Sequence, residues 1–259
     1  MHPNPRRAWR LLATLCLAPL LIAGCATVVT RQPLSPEAEA ARALLERRWK
    51  SFDDLRSLAN IELRRGGRTD RLSGALLLRA PGSLRFEALS PFGPPILLVG
   101  ADAESVTIWE VLRNRAYMLP PSAEANRRWL GVALGTQDIV ALLSGHVLPL
   151  SEPASGHLLA SGDLGPSLVL EGSDGRQQIW FDQDSGQPKQ VEWTGGKTPV
   201  RITFDQGAPA DPLRGLTMAT LDGKLEVRVR YQSPALNTRF DPDLLRVTVP
   251  QGVEIQDFR

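Results

Sequence analysis

The chain has little cysteine, and what it has is confined to its first 25 residues. Only Cys16 and Cys25 occur among 259 residues, so the remainder of the chain can form neither a disulfide framework nor a thiolate metal site. Long hydrophobic runs are equally scarce. After residue 25 no run approaches the roughly 20 apolar residues that a membrane-spanning helix requires. Stability must therefore come from burial of apolar side chains, for which the chain is long enough.

Sequence patterns of common enzymes are also missing. The chain has no Gly-x-Ser-x-Gly, P-loop or Gly-x-Gly-x-x-Gly sequence. His146 and His157 have no acidic residue at a spacing typical of ligands, and a zinc site needs three or four. The adjacent carboxylates Asp53 and Asp54 are expected on the solvated side of a helix. We expect no enzyme, metal or cofactor, although dispersed carboxylates that converge in the fold would allow a glycan hydrolase.

The N-terminus has the organisation of an export signal. Three arginines precede an apolar segment, residues 11–23, and no acidic residue occurs before Glu37. The segment is too short to span a bilayer. Ala23 and Gly24 directly precede Cys25, which resembles the bacterial lipobox, where the cysteine is acylated and the preceding peptide is removed. An ordinary secretory signal is the alternative.

On this interpretation, residues 1–24 are the removed signal peptide and residues 25–34 are the lipidated N-terminus and tether. Fatty acyl chains such as palmitate, at about 0.8 kcal/mol per buried methylene, would hold the protein on the membrane. Loss of the three signal-peptide arginines changes the formal charge from +2 to about −1, with 27 basic and 28 acidic residues left. Such a balance does not indicate a nucleic-acid partner. Residues 35–259 are expected to form a single domain, and the protein is expected to be a monomer.

Hydrophobic periodicity changes along this domain. Ser35 and Pro36 begin a helical pattern that continues to about residue 56. From residue 58 onward, apolar residues mostly alternate with polar ones, as in residues 225–231 and 244–249, which is typical of antiparallel strands with one buried face. Two short helices, 122–130 and 136–144, interrupt the series. The pattern predicts a mainly β fold with flanking helices and about 11–12 strands, too many for a flat open sheet.

An unusual loop lies between two of the predicted strands. Pro91, Phe92, Gly93 and Pro94 form its centre, where three prolines in the wider segment restrict the backbone. Phe92 occupies a position where a polar residue would be ordinary. The side chain either folds back onto the core or is held out toward a bilayer or an acyl chain.

The chain resembles LolB, the outer-membrane receptor that takes lipoproteins from the periplasmic carrier LolA. The resemblance rests on Cys25, on the Leu89-Ser90-Pro91-Phe92-Gly93 loop, on residues 139–145, which are similar to a short helix ending in a Leu-Gly turn, and on the ending 247–254. It extends over most of the mature chain, but residues 211–243, rich in proline and charge, depart from the family. The chain is therefore expected to be a divergent member of the LolA/LolB superfamily.

This resemblance implies a strongly curved, incomplete antiparallel β-barrel whose apolar concave face receives acyl chains beneath an N-terminal helix and short lid helices. It also implies that Phe92 is the membrane-facing residue of the loop, and that the partners are lipidated protein cargo and a LolA-like carrier. Ala26 after Cys25 favours the periplasmic face of the outer membrane. The candidate cavity residues are Leu84, Phe86, Ala88, Val106, Ile108, Trp129, Ile139, Leu142, Leu143, Val227 and Val229.

Two functions follow from these expectations. The first is a lipoprotein that binds the acyl chains of lipoprotein cargo in an apolar cavity and assists their insertion into the outer membrane. The second is a scaffolding envelope lipoprotein with a packed core that acts through protein partners. The candidate cavity residues fit both, because the same inward-facing side chains fill a packed barrel or line a hollow one.

Overall fold

A computed structural model describes residues 33–160, 162–173, 175–195, 198–205 and 213–259. The expected signal peptide, Cys25 and most of the expected tether lie outside these residues. The residues so described all belong to one compact unit. Within the described ranges, no helix is both long and apolar enough to cross a bilayer.

Fourteen strands of the described chain, more than the expected 11–12, form one open, curved sheet, so the expected incomplete barrel is confirmed. The strands are β1 Asp54–Arg65, β2 Arg68–Arg79, β3 Ser83–Leu89, β4 Pro95–Ala101, β5 Val106–Glu110, β6 Arg115–Leu119, β7 Ser155–Leu159, β8 Ser167–Gly172, β9 Gly175–Phe181, β10 Pro188–Thr194, β11 Val200–Asp205, β12 Gly215–Thr220, β13 Leu225–Leu236 and β14 Glu254–Asp257. The helices of the same ranges are α1 Pro36–Lys50, α2 Ala123–Leu130 and α3 Thr136–Leu143.

Antiparallel pairing of neighbours along the chain builds most of the sheet. Its order is β14-β6-β5-β4-β3-β2-β1-β13-β12-β11-β10-β9-β8-β7, so β1 and β13 join the first strands to the later ones. Only β14 pairs in parallel, with β6. The two outermost strands, β14 and β7, do not pair with each other, which leaves the barrel open.

Pairing registers place the inward residues of neighbouring strands on one apolar face. Phe86 of β3 lies opposite both Leu76 of β2 and Val99 of β4, and Val99 lies opposite Ile108 of β5. The alternation of buried and less buried residues along β3 follows this arrangement, because successive side chains of a strand point to opposite faces. This inner face carries most of the hydrophobic core.

Local sequence accounts for where the helices begin. In α1 the Ser35 side chain accepts a hydrogen bond from the Ala38 amide, at 3.2 Å, and Pro36 occupies the first turn. In α2 the Ser122 hydroxyl accepts from the Ala125 amide, also at 3.2 Å, and Gly131 ends the helix with φ of 88°. Both caps are those expected from the sequence.

The helix expected to extend to residue 56 ends at Lys50 instead. The Ser51 hydroxyl donates to the Arg48 carbonyl at 2.7 Å, and β1 begins at Asp54. The expectation that Asp54 is solvated on a helix is therefore wrong, since its side chain is only 4% exposed. It accepts hydrogen bonds from the Thr238 amide and hydroxyl and from the Arg239 amide, at 2.7 to 2.9 Å.

The C-terminal segment also differs from its predicted form. Alternation in residues 244–249 suggested a strand, but the chain forms a short 3₁₀ turn, Pro242–Leu245, followed by irregular backbone. Arg85 donates to the carbonyls of Leu244 and Arg246. Val247 packs directly on Gly100, since a Cβ atom added to Gly100 would lie only 2.7 Å from the Val247 Cγ2 atom. The alternating residues therefore pack against the outer face of β3 and β4 rather than pairing with another strand.

Every member of the buried core cluster lies between Ala38 and Val229. A chain that begins at residue 26 thus retains the complete core cluster. Since burial of this core supplies the main stabilising free energy, residues 26–259 are expected to fold without the signal segment.

Candidate functional site

The β3–β4 loop presents Phe92 to solvent. Its side chain is 93% exposed, so it does not fold back onto the core. The loop is short and internally hydrogen-bonded: the Ser90 amide donates to the Pro94 carbonyl at 3.0 Å, and the Gly93 amide donates to the Ser90 carbonyl at 3.1 Å. Gly93 has φ of 110°, which a side chain would strain. Pro91, Gly93 and Pro94 are likewise exposed, so an apolar side chain projects from a conformationally constrained loop.

The inner face of the sheet brings the candidate cavity residues into one cluster. Leu84, Phe86, Ala88, Val106, Leu142 and Val229 are buried members of the core cluster. The other five are partly buried against it: Ile108, Trp129, Ile139, Leu143 and Val227. The first group is packed against neighbouring side chains. The second group forms the margin at which the inner face becomes accessible.

Helix α2 lies over one side of this face. Its Trp129 ring lies 4.9 Å from the ring of Tyr117 on β6 and 6.0 Å from that of Phe258, which follows β14. At its C-terminal end, the Arg65 guanidinium donates to the Leu130 carbonyl at 2.8 Å. Few other contacts of α2 are buried, because Asn126 is its only buried residue.

Beside α2 is a mainly apolar cleft of about 430 Å³. Leu119, Ala125, Trp129 and Phe258 supply apolar walls, and the charged residues Glu124 and Arg128 also line the cleft. This volume is within the range of small-molecule sites, about 300–1,000 Å³. Of its lining residues, only Trp129 was singled out by the sequence. Phe258 was missed because its approach depends on the parallel pairing of β14 with β6, which no local pattern indicates.

Helix α3 occupies the inner face more deeply than α2. Val140, Ala141 and Leu142 are buried. Burial raises the pKa of the Asp138 carboxyl, although its hydrogen bond from the Gly135 amide acts in the opposite direction. The hydroxyl of Tyr231, on β13, donates to the carbonyl of Leu143 at 2.6 Å. This bond fixes the end of α3 to the middle of the sheet.

A histidine is buried directly after α3. His146 lies against the rings of Trp49 and Phe52, with centroids 5.6 and 5.2 Å away, and its Nδ1 is 3.0 Å from the Ser144 hydroxyl oxygen. Burial lowers the pKa of the His146 imidazole to about 4, and the positive charge of Arg48 acts in the same direction. The serine and histidine are both buried in the core, so their contact supports the connection between α3 and the following segment.

A second cleft, of about 540 Å³, lies where β1 begins and β2 ends. Asp53, Asp54, Arg79, Arg239 and Asp241 contribute its charged groups. The Asp54 carboxylate is already satisfied by backbone and hydroxyl donors, which assigns it a structural role. Among the described residues, no group of three or more histidine, cysteine, aspartate or glutamate side chains could hold a metal ion.

An open, curved sheet with helices on its inner face also occurs in solved structures. A LolA superfamily protein of Nitrosomonas europaea matches with a TM-score of 0.51 and 13% identity, over 82% of this chain and 97% of that one. A domain of Vibrio parahaemolyticus described as an outer membrane lipoprotein-sorting protein matches with a TM-score of 0.54 and 10% identity, over 80% and 97% of the two chains.

A DUF1329 family protein of Desulfovibrio piger has a TM-score of 0.54 and 11% identity, over 81% of this chain and 97% of its own. No protein-family model and no curated protein sequence matches the chain. The chain therefore shares the fold of these proteins, one of which is a LolA superfamily protein, and at 10 to 13% identity the likeness is one of fold alone.

Proposed function

We propose that this protein is an outer-membrane-anchored lipoprotein that binds the acyl chains of lipoprotein cargo and assists their insertion into the membrane. The observation that carries the proposal is the exposure of Phe92 on a constrained loop of a LolA-like fold. An aromatic side chain in water has no stabilising contact there, whereas insertion into a bilayer would bury its apolar surface.

The cargo site proposed here begins at the cleft beside α2. Its apolar walls suit an aliphatic chain, since they offer few polar groups that would need partners. Further entry, toward Phe86 and Val229, requires displacement of side chains or helices because those positions are packed. No residue of this site is proposed to catalyse a reaction, and transfer needs no cofactor if each acceptor binds the cargo more tightly than the donor.

The anchor and location belong to the same proposal. Cys25 would carry the lipid, and a LolA-like periplasmic carrier would deliver the cargo. The solved relatives include a protein described as sorting outer membrane lipoproteins, which favours the cell envelope for this chain. Ala26 favours the outer membrane within the envelope.

The test is transfer of an acylated peptide from the protein to liposomes, with Phe92→Glu as the perturbation. We expect the variant to retain the fold and the bound peptide but to lose at least tenfold in transfer rate, since a buried Phe contributes about 1.5–3 kcal/mol. Leu159→Glu, which changes an exposed leucine on edge strand β7, is the matched control. Transfer by Phe92→Glu at the wild-type rate would refute the membrane role of the loop.

A scaffolding lipoprotein is the second candidate, favoured by the packed state of the inner face. Six of the candidate cavity residues are buried within the core cluster. Mass spectrometry of solvent extracts from purified residues 26–259, together with displacement of a fluorescent fatty-acyl probe, distinguishes the candidates. Stoichiometric acyl ligand supports cargo binding, whereas a lipid-free protein that does not bind the probe supports the scaffold.

A further inference from the structure

A second apolar side chain is nearly as exposed as Phe92. Leu112, in the 3₁₀ turn Val111–Arg113 between β5 and β6, is 82% exposed. Among the described residues with large apolar side chains, these two have the highest exposures. Isolated exposed leucines are common on protein surfaces, so the position of Leu112 relative to Phe92 decides whether it matters.

Strand pairing places both side chains at the same end of the sheet. Leu97 of β4 lies opposite Glu110 of β5. Phe92 lies five residues before Leu97, and Leu112 lies two residues after Glu110. The loops that carry Phe92 and Leu112 therefore both extend from the same end of the paired strands. The β3–β4 and β5–β6 loops are centred two strand spacings apart, about 10 Å. Phe92 lies further along the strand direction than Leu112, because β4 extends two residues past Leu97, to Pro95, and the loop lies beyond Pro95.

The turn that carries Leu112 has a fixed conformation. Asn114 has φ of 51°, and its amide donates to the Val111 carbonyl at 3.1 Å. The Asn114 side chain donates to the Gly252 carbonyl at 2.9 Å, and the Glu254 amide donates to the Asn114 carbonyl at 3.0 Å. The C-terminal segment thus braces this turn, which holds Leu112 outward although nothing in the described chain covers it.

The distribution of charge around Phe92 and Leu112 suits contact with a lipid surface. The β3–β4 loop, residues 89–95, contains no charged residue. Arg113, next to Leu112, has a 72% exposed side chain and pairs with Glu110 at 3.3 Å, a contact that contributes little at the surface. A guanidinium there can move to lipid phosphates while the neighbouring leucine enters the acyl region.

We propose that Leu112 is a second membrane-contacting residue, so that the domain contacts a phospholipid bilayer through the β3–β4 and β5–β6 loops together. This inference rests on the proposed function for the membrane role of Phe92. Two contacts about 10 Å apart orient the sheet relative to the bilayer, whereas a single tip would allow the domain to pivot. The orientation would also set the position of the α2 cleft relative to the membrane.

The test measures binding of residues 26–259, which lack the acylated cysteine, to vesicles of phosphatidylcholine with a minor fraction of phosphatidylglycerol. Leu112→Asp should weaken vesicle binding about tenfold, the loss expected for one leucine that no longer enters the bilayer. Leu244→Asp is the matched control, because Leu244 is a half-exposed leucine in the other 3₁₀ turn, over the outer face of the sheet. Leu112→Asp binding equal to that of the control would overturn the inference.

Two further measurements keep the result interpretable. Residues 26–259 contain no cysteine, so Leu112→Cys can carry a single environment-sensitive fluorophore. We expect its emission to shift to shorter wavelength on vesicle addition, and an unchanged spectrum would also overturn the inference. Binding of a fluorescent acyl probe should be unaffected by Leu112→Asp. If the wild-type protein binds vesicles through Leu112 but does not bind the probe, the cargo function fails while the two-loop membrane contact stands.

Discussion

Acidification should destabilise the protein through His146. The imidazole is buried against Trp49 and Phe52 and lies near the charge of Arg48. Its folded-state pKa of about 4 is below the ordinary value of 6.5, so the folded protein resists protonation more than the unfolded chain does. The neutral His146 imidazole therefore makes its full contribution to the free energy of unfolding above about pH 6.5, and this contribution is lost as the pH falls toward 4. The difference corresponds to about 3 kcal/mol in total, of which about 2 kcal/mol is lost between pH 7 and pH 5.

Urea unfolding followed by tryptophan fluorescence measures this loss. His146→Gln should be less stable than the wild type at pH 7 because it alters a packed site, but its stability should fall by about 2 kcal/mol less between pH 7 and pH 5. His157→Gln is the control, since His157 is exposed, and it should retain the wild-type pH dependence. Equal pH dependence in all three proteins would show that other groups cause the acid sensitivity and would refute this explanation.

Two hydrogen-bonding groups give further predictions. Asp54→Ala should lower the free energy of unfolding by about 3 kcal/mol, because it removes a buried acceptor from Thr238 and the following amide. Asp53→Ala, at an exposed position, should change it by less than about 0.5 kcal/mol in the same urea titration. Tyr231→Phe should destabilise by about 1 kcal/mol through loss of the bond to Leu143, and stopped-flow measurements should show faster binding of an acyl probe if α3 moves during entry. An unchanged rate would argue against that movement.

Local features of the fold were predictable because their causes are local. The Ser35 and Ser122 caps depend on neighbouring amides, and the alternation in residues 225–231 reflects one buried face of β13. The Phe92 loop stood out because an aromatic residue replaced the usual polar one at a turn. Leu112 offered a similar signal, an apolar residue in a short connection between two strands, and could have been found by the same argument.

Features that depend on distant partners were not predictable. Asp54 is buried because residues 238 and 239 supply its donors, more than 180 positions later. Alternation in residues 244–249 predicted a strand, yet those residues pack on the outer face of the sheet while β14 supplies the parallel edge strand. The size of the cavity was not predictable for the same reason. Inward positions such as Phe86 can be identified from alternation, but whether α3 fills the space next to those side chains depends on the whole fold.

Under the proposed function, the extent to which side chains and helices fill the inner face of the sheet determines how cargo would enter. An inner face occupied by α3 offers an acyl chain little room, so part of the lid must move before deep binding. Val140 and Leu142 of α3 are buried, and Tyr231 bonds to the end of that helix. Helix α2 has one buried residue, Asn126, which donates to the Leu134 carbonyl, and its other contacts include those of Trp129 and a bond from Arg65 to the Leu130 carbonyl. Fewer buried contacts imply a smaller free energy for local opening. Entry should therefore begin at the cleft beside α2, with α3 displaced only afterwards.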